Sequence, residues 1–250
     1  MNEDDMTETL PTTEDDPRFD ERWFRSVPET RERGSLLLVG VVHDHPSSVH
    51  RAAETVAAID PDVVALELPQ LAMPLFERHA SRADFPPRYG GEMTAAIQGS
   101  DDARVVGIDA PNRRFIRELT AYVGEERPGR ETLAGVVSGA TPILRHALRY
   151  RIASVIDART HLRLVPDRSA SFDVTHESSA ADQAEDERRQ LSRSRTLLSA
   201  VELPQSVGDL DRLRESTMAR RIEGLREEGD VVAVVGFDHL DPLHDRLDAT

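Results

Sequence analysis

The chain of 250 residues contains no cysteine and no lysine, so all 31 of its basic residues are arginines. Without cysteine it can form no disulfide and offers no thiolate as a nucleophile or as a metal ligand. Any metal in this protein must therefore be held by histidine, aspartate, glutamate or backbone oxygen. The length is sufficient for one sizeable domain with a single core, or for two small ones.

Long apolar stretches are also lacking, since no run approaches the roughly 20 residues that cross a bilayer. The N-terminal sequence MNEDDMTETLPTTEDDPRFDER is acidic and has no apolar core of the kind found in signal peptides. We therefore expect no membrane insertion and a cytoplasmic location.

The charge is strongly one-sided, because 46 acidic residues outnumber the 31 arginines and give a net charge of −15. Such a surface repels phosphate backbones and anionic membranes, which argues against a nucleic-acid or membrane-surface partner. Arginine without lysine, together with many acids, is typical of a halophilic protein whose acidic surface stays hydrated in concentrated salt. GC-rich coding would produce the same loss of lysine, and the sequence leaves both explanations open.

The domain organisation can be predicted from the distribution of apolar residues. Residues 1–33 are predicted to be an acidic disordered tail, or a tail that docks only through Phe19, Trp23 and Phe24. Residues 34–250 are predicted to form a single compact α/β domain. Within it, the polar segment at about 168–195 is predicted to be a mobile insertion.

Four apolar runs predict a central, mostly parallel sheet with flanking helices. The runs cover residues 36–42, 63–68, 103–110 and 231–235. The first two are joined by a helix predicted to begin at Ser47 or Ser48, and this βαβ unit predicts that its strands are parallel neighbours. Further helices are predicted over residues 112–123, 131–165 and 212–229.

Two near copies of one motif stand at opposite ends of the chain. The sequence SLLLVGVVHDHP contains Gly40 and His43, and VVAVVGFDHLDP contains Gly236 and His239. Each copy is an apolar strand followed by Gly-x-x-His, with a proline six positions after the glycine. Glycine at the end of a strand allows a sharp turn or a close approach of another backbone.

The other two predicted strands carry carboxylates near their ends, Glu67 and Asp109. Because the carboxyl ends of parallel strands meet at one edge of a sheet, these acids are expected near His43 and His239. Two histidines with carboxylates can hold Zn²⁺, Mn²⁺ or Co²⁺. The pattern therefore indicates a divalent-metal site with a carboxylate available as a general base.

Each of these residues also has an ordinary structural interpretation. Glu67 can pair with an arginine, Asp109 and Glu92 can stabilise the first turn of a helix, and Arg214 with Glu215 can form a solvated helix face. Three further histidines are expected to be hydrogen-bonded loop residues, namely His45, His50 and His244.

The chain resembles the TraB/PrgY/GumN/Tiki family in several segments that occur in family order. They are VGVVHDHPSSVHRAAETVAAIDPDVVALEL, GGEMTAAI, VVGIDAPNRRFIREL, RESTMARRI and VVAVVGFDHL. The resemblance implies a compact α/β fold of two repeated halves, each ending in Gly-x-x-His. It also implies that His43, Glu67 and His239 face a common cleft. Further polar positions of the family fall on Glu92, Asp109, Arg214 and Glu215.

The resemblance implies different activities for different branches of the family. The Tiki branch is associated with metal-dependent peptidase activity that favours Mn²⁺ or Co²⁺, and the TraB/PrgY branch with blocking a peptide pheromone. Two departures limit the analogy. The third strand is followed by Asp109-Ala110 where the family often has Asp-Arg, and the sequence stops at Thr250 where many members continue into membrane segments.

Two functions are therefore expected for the same cleft. In the first, a metal-dependent hydrolase cleaves a peptide or small amide. His43 and His239 are then ligands, Glu67 is a ligand or base, Asp109 is a ligand or supports one, and Arg214 steadies a carboxylate or an oxyanion. In the second, a non-catalytic protein binds a peptide or small signal. The absence of His-Glu-x-x-His argues against an ordinary zinc peptidase.

Overall fold

The computed structural model describes residues 6–82, 84–109, 172–199 and 205–249. Within them, five strands form one sheet, and they are β1 (Phe24–Val27), β2 (Leu36–Val41), β3 (Val63–Pro69), β4 (Arg104–Asp109) and β5 (Val231–Gly236). The α-helices of the same residues are α1 (Pro46–Ile59), α2 (Met73–Ala80), α3 (Gly91–Gly99), α4 (Ala180–Ser199), α5 (Gln205–Arg226) and α6 (Phe237–Asp248). The predicted α/β class, with a central sheet and flanking helices in one compact domain, is confirmed.

The strands lie in the order β1-β2-β5-β3-β4. The last four are parallel to one another, and only β1 at the edge is antiparallel. The prediction that β2 and β3 are neighbours is wrong, because β5 lies between them and pairs with both. A βαβ connection can skip one strand position, and the last strand of the described chain occupies that position.

The two central strands that precede the Gly-x-x-His motifs are completely apolar. Every residue of β2 and β5 is buried, as expected of parallel strands covered on both faces. At Gly40 an added Cβ would lie 3.1 Å from the side chain of Leu240 and 3.2 Å from that of Phe237. Glycine at this position therefore allows α6 to pack directly against β2. Repetition of two whole halves is not visible in these elements and stays a prediction.

Helix α1 begins two or three residues earlier than the sequence predicts. Pro46 occupies its first turn, where a missing N–H costs nothing, and His45 is the N-cap instead of Ser47 or Ser48. The Nδ1 atom of His45 accepts a hydrogen bond of 3.1 Å from the backbone N–H of Ser47. The helix ends at Ile59, and its C-cap Asp60 adopts a left-handed conformation with φ of 50°.

The predicted disorder of residues 1–33 is wrong for the described part of that segment. Phe19 and Trp23 are buried, and β1 adds a strand to the sheet. The Trp23 ring packs edge-on against Phe237, with 5.0 Å between the ring centres. The guanidinium carbon of Arg51 lies 4.2 Å from the centre of the Trp23 ring. The three aromatic residues of the alternative prediction are buried, and large rings contribute much of the burial that holds an acidic segment. They are not its only attachment, because β1 also pairs with β2.

The predicted mobile insertion is likewise wrong over residues 180–195, which belong to α4. One face of this helix is buried although it is largely polar, and it carries Gln183, Ala184, Asp186 and Glu187. Residues 168–171 and the helices predicted over 112–123 and 131–165 lie outside the described residues. The helix predicted over 212–229 corresponds to the second part of α5.

Candidate functional site at the carboxyl edge of the sheet

The two motif histidines are brought together because β2 and β5 are adjacent and in register. Gly40 pairs with Val235, and Val41 pairs with Gly236. His43 follows two residues after β2, and His239 lies in the first turn of α6 directly after β5. Both side chains therefore start from the same edge of the sheet.

Glu67 is the centre of the site. This residue lies on β3, the other neighbour of β5, and its side chain is only 6% exposed. Its Oε2 accepts a hydrogen bond of 2.6 Å from the backbone N–H of Gly236. Its Oε1 lies 3.0 Å from Nη2 of Arg214 and 3.4 Å from Nε2 of His239. A buried carboxylate requires such partners, since an unpaired charge would be costly.

Burial opposes the charged form of Glu67, but the two histidines and the arginine outweigh it. The positive charges of His239, His43 and Arg214 hold the pKa of Glu67 below its ordinary value. Glu67 is therefore a carboxylate at neutral pH and can accept a proton or bind a cation.

Arg214, on α5, connects two strand-end carboxylates. Its Nε and Nη2 atoms donate to the two oxygens of Asp109 over 3.0 and 2.9 Å, and Nη2 also contacts Glu67. This two-pronged geometry is the strongest form of an arginine–carboxylate pair. Burial of Arg214 opposes its charge, but Asp109 and Glu67 raise its pKa above the ordinary value, so the guanidinium is always cationic.

Each histidine presents its Nδ1 atom to a glutamate. His43 Nδ1 lies 2.7 Å from Oε1 of Glu92, at the start of α3, and His239 Nδ1 lies 3.2 Å from Oε1 of Glu215, on α5. Both glutamates are buried. Because each carboxylate engages Nδ1, the Nε2 atoms are the ones left to face the centre of the site.

The two Nε2 atoms converge on Glu67 around Gly236. A Cβ at Gly236 would lie 3.3 Å from both Nε2 of His43 and Oε2 of Glu67. Nε2 of His239 approaches the other oxygen of the same carboxylate. The glycine of the second motif therefore keeps open the space between the first histidine and Glu67.

The glutamates also raise the affinity of the imidazoles for protons. The hydrogen bond to Glu92, together with its negative charge, raises the pKa of His43 from 6.5 to about 9. For His239, burial lowers the pKa, but the hydrogen bond to Glu215 and the charge of Glu67 raise it above the ordinary value overall. In the metal-free protein both rings therefore favour the imidazolium form more than a free histidine does.

Glu92 fixes the backbone beside His43 as well as its ring. Its Oε2 accepts a hydrogen bond of 2.8 Å from the backbone N–H of Asp44. The helix that carries Glu92 starts at Gly91, whose φ is 44° and whose added Cβ would collide with the Asp44 side chain. Partial desolvation, followed by the negative charge of Glu92, raises the pKa of Asp44 to about 6. Glycine is therefore needed at position 91, both for its backbone conformation and for the close approach of Asp44.

The structure brings most of the predicted site residues together. The assembled residues are His43, Glu67, Glu92, Asp109, Arg214, Glu215, Gly236 and His239. Gly40 does not line the site, because it lies under α6. Of the three histidines expected to be hydrogen-bonded loop residues, His45 is one, although it is completely buried. His50 and His244 instead lie within α1 and α6, and His244 contacts the carbonyl of Ser26.

Two residues near the site were not predicted from the sequence. Asp44 is held by Glu92, and Arg246 of α6 places Nη2 3.8 Å from Oε2 of Glu215. Asp44 adjoins a motif histidine, which is a signal that could have identified it. Arg246 lies on a polar helix face without distinguishing sequence features.

The donor atoms of the site suit a divalent cation. Metal-binding histidines usually present one ring nitrogen to a carboxylate and the other to the metal, and both His43 and His239 have the first half of this arrangement. Imidazole nitrogen and a Glu67 oxygen are ligands that Zn²⁺, Mn²⁺ and Co²⁺ accept. Within the described ranges, however, no three histidine or acidic side chains already surround a common point at metal-ligand spacing.

Buried carboxylates, one arginine and two glutamate-anchored histidines thus define a charge-dense site at the carboxyl edge of a parallel α/β sheet. In comparisons with protein-family models, with curated proteins and with solved structures, nothing matches the chain. In the parts of the chain that the structure describes, no helix combines the length and apolar character needed to cross a membrane.

Proposed function

We propose that this protein is a metal-dependent hydrolase that cleaves a peptide or a small amide. The observation that carries the proposal is the convergence of His43 and His239 on Glu67, with a glutamate behind each ring. A site that served only to stabilise the fold would have little use for such an arrangement, since buried ion clusters add little stability.

The protein's own residues would act as follows. His43 and His239 would hold the cation through Nε2, while Glu92 and Glu215 fix the orientation of the rings. Mn²⁺, Co²⁺ or Zn²⁺, when bound, would supply a Lewis acid for water and for the scissile carbonyl. Glu67 would either ligate the cation or take a proton from the attacking water.

Arg214 and Asp109 would support this chemistry. The guanidinium, which contacts both Glu67 and Asp109, would hold the Glu67 carboxylate in place and keep it ionised. Because 18% of the Arg214 side chain is exposed, it can also attract the carboxylate of a peptide or an oxyanion. Asp109 would act through Arg214 in this arrangement.

The resemblance to the TraB/PrgY/GumN/Tiki family belongs to the same proposal. It is supported by the placement of the two Gly-x-x-His motifs on neighbouring strands around Glu67. The absence of cysteine and the acidic composition favour action in a salt-rich cytoplasm, on a peptide or small molecule and not on nucleic acid.

A second candidate is a protein that binds a peptide or small signal without cleaving it. One observation favours it, namely that both oxygens of Glu67 already have partners in Gly236 and Arg214. If these contacts persist, Glu67 is an anchor for the cluster and not a base. The cleft would then recognise a ligand through His43 and Arg214.

Elemental analysis and a cleavage assay distinguish the two functions. Untagged protein purified in concentrated salt would be dialysed against Mn²⁺, Co²⁺ or Zn²⁺, and its metal content measured. The same samples would be incubated with a mixed peptide library and the products identified by mass spectrometry. We expect about one cation per chain and metal-dependent cleavage.

Glu67→Gln is the decisive variant. It should keep the fold, at a cost of about 1–3 kcal/mol for hydrogen bonds that an amide satisfies less well, and should abolish cleavage. His43→Ala should lose the metal. The matched control is Glu54→Gln, which removes the same charge from the exposed face of α1 and should cleave normally. Peptide binding without cleavage by the wild type under every metal would favour the second candidate.

A further inference from the structure

A buried polar network holds the strand end that leads to His43. Nη2 of Arg51, on α1, donates a hydrogen bond of 3.1 Å to the carbonyl of Gly40. The hydroxyl of Ser48, also on α1, accepts one of 2.8 Å from the N–H of Val42. The backbone is thus fixed on both sides of the last residue of β2, immediately before the histidine.

Glu187 of α4 organises both of these contacts. Its Oε1 accepts a hydrogen bond of 2.7 Å from Nη2 of Arg51 and a very short one from the Ser48 hydroxyl. Its Oε2 accepts from Nη1 of Arg51 over 3.0 Å. The side chains of Arg51 and Glu187 are completely buried. Burial opposes the charge of Glu187, but Arg51 and Ser48 hold its pKa below the ordinary value, so the pair is ionic.

Asp186, the residue before Glu187 on α4, holds the chain on the C-terminal side of His43 through a contact with His45. Nδ1 of His45 accepts the hydrogen bond from Ser47 N–H, which assigns the ring proton to Nε2, and Nε2 lies 3.3 Å from Oδ2 of Asp186. The side chains of His45 and Asp186 are both 0% exposed. Burial lowers the pKa of His45, in agreement with a neutral ring that donates to the aspartate.

Stability alone does not account for this arrangement. A buried ion pair is often no more stabilising than apolar side chains of the same volume. Arg51 also donates to the carbonyl of Arg18 and contacts the Trp23 ring. The contacts made to Gly40, Val42 and His45, however, all fall on one short segment, residues 40–45, which carries His43 into the candidate site. The remaining support of His43 comes from Glu92, on a different helix.

We propose that Glu187, assisted by Asp186, is a positioning residue that fixes residues 40–45 so that the His43 ring contacts Glu92 through Nδ1 and turns Nε2 toward Gly236, on the side where Glu67 lies. This inference rests on the proposed function only in taking His43 to be functional. Helix α4, which the sequence predicts to be part of a mobile polar insertion, then supports the site structurally.

The test reads the ring of His43 directly in metal-free protein. In wild type, the Nδ1–H that is bonded to Glu92 should give a downfield proton resonance in NMR spectra of ring-labelled histidine. In Glu187→Gln, this resonance should move upfield or vanish through exchange with water. The control Glu185→Gln removes the same charge from an exposed site two residues earlier on α4 and should leave the resonance unchanged.

A second measurement uses Co²⁺ as the probe. Supporting groups around metal-binding histidines typically change metal affinity by about 10–100-fold, so Glu187→Gln should bind Co²⁺ at least about tenfold more weakly than Glu185→Gln. If the wild type binds no cation, the proposed function fails, but the NMR comparison still decides the positioning role.

A lower melting temperature with an unchanged His43 resonance would overturn the inference and leave Glu187 a purely structural residue. Should Glu187→Gln not fold, Ser48→Ala provides the same test with less disturbance. It keeps the Arg51–Glu187 pair but removes the acceptor for the N–H of Val42. An unchanged His43 resonance in folded Ser48→Ala would equally overturn the proposal.

Discussion

His43 differs from the other residues of the site in its exposure. Its side chain is 59% exposed, whereas those of Glu67, Asp109, Arg214 and His239 are 18% exposed or less. Its Nδ1 is nevertheless anchored on a buried glutamate. A ring that is fixed at one nitrogen and largely exposed is suited to meeting a cation or a ligand that arrives from solvent.

The raised pKa of His43 predicts opposite pH dependences for folding and for metal binding. In metal-free protein the folded pKa of about 9 exceeds the unfolded value of 6.5. The stability that His43 contributes is therefore complete below pH 6.5 and is lost as the pH rises through 9. Solvent screening of an exposed ring keeps this contribution small. The raised pKa of His239 acts in the same direction.

A cation, by contrast, must displace the proton, so its affinity should rise with pH until His43 is neutral. Urea melts without metal and Co²⁺ titrations, both at several pH values between 6 and about 9, provide the check. His43→Gln should reduce the pH dependence of both the stability and the Co²⁺ affinity, because the titrating ring is removed. A metal affinity that falls with pH in wild type would contradict the assignment of His43 as a ligand.

At the scale of elements, apolar strands are predictable from the sequence, and the polar helix α4 is not. β2 and β5 are uninterrupted apolar runs because both of their faces are buried. The buried face of α4 instead carries Gln183, Asp186 and Glu187, whose partners lie on distant segments. Since hydrophobic periodicity detects only apolar faces, a helix held by buried ion pairs has the composition of a loop.

The candidate site could be predicted only in part, because some of its geometry depends on contacts between segments that are distant in the sequence. Strand ends carry His43, Glu67 and Asp109 to one edge, which follows from parallel pairing alone. The insertion of β5 between β2 and β3 depends on non-local pairing, which no local pattern encodes. The docking of the N-terminal segment depends on single aromatic residues and not on any periodicity.

The packing of Trp23 predicts that this N-terminal segment is required for stability. Its side chain is 1% exposed and contacts both Phe237 and Arg51. Trp23→Ala should therefore lower the free energy of unfolding by about 3–5 kcal/mol. Chemical denaturation in concentrated salt would measure it, with Phe85→Ala as control, since that ring is 53% exposed and its loss should cost about 0.5 kcal/mol or less. Equal effects of the two substitutions would show that Trp23 does not anchor the segment.

At the scale of the whole molecule, the net charge of −15 acts against the folded state. Ion pairs relieve part of this repulsion locally, as between Arg25 and Asp241, but acids remain in excess. Dissolved salt screens the repulsion between them, so that it extends over about 10 Å at 0.1 M salt but only over about 3 Å at 1 M.

We therefore expect the melting temperature to fall steadily as the salt concentration is lowered from molar to about 0.1 M. The physical reason is that the compact state concentrates like charges that salt otherwise screens. Calorimetric or circular-dichroism melts in a KCl series would measure the trend. A flat series would instead attribute the absence of lysine to coding bias.

The position of β5 determines when the protein can begin to function during its synthesis. Because β5 pairs with both β2 and β3, the facing edges of these strands stay unpaired until residues 231–236 have left the ribosome. Unpaired apolar edges attract other chains, and non-local pairing is slow, so the nascent protein passes through an aggregation-prone interval. His239 emerges still later. Any activity of the site can therefore appear only after the gap in the sheet has closed.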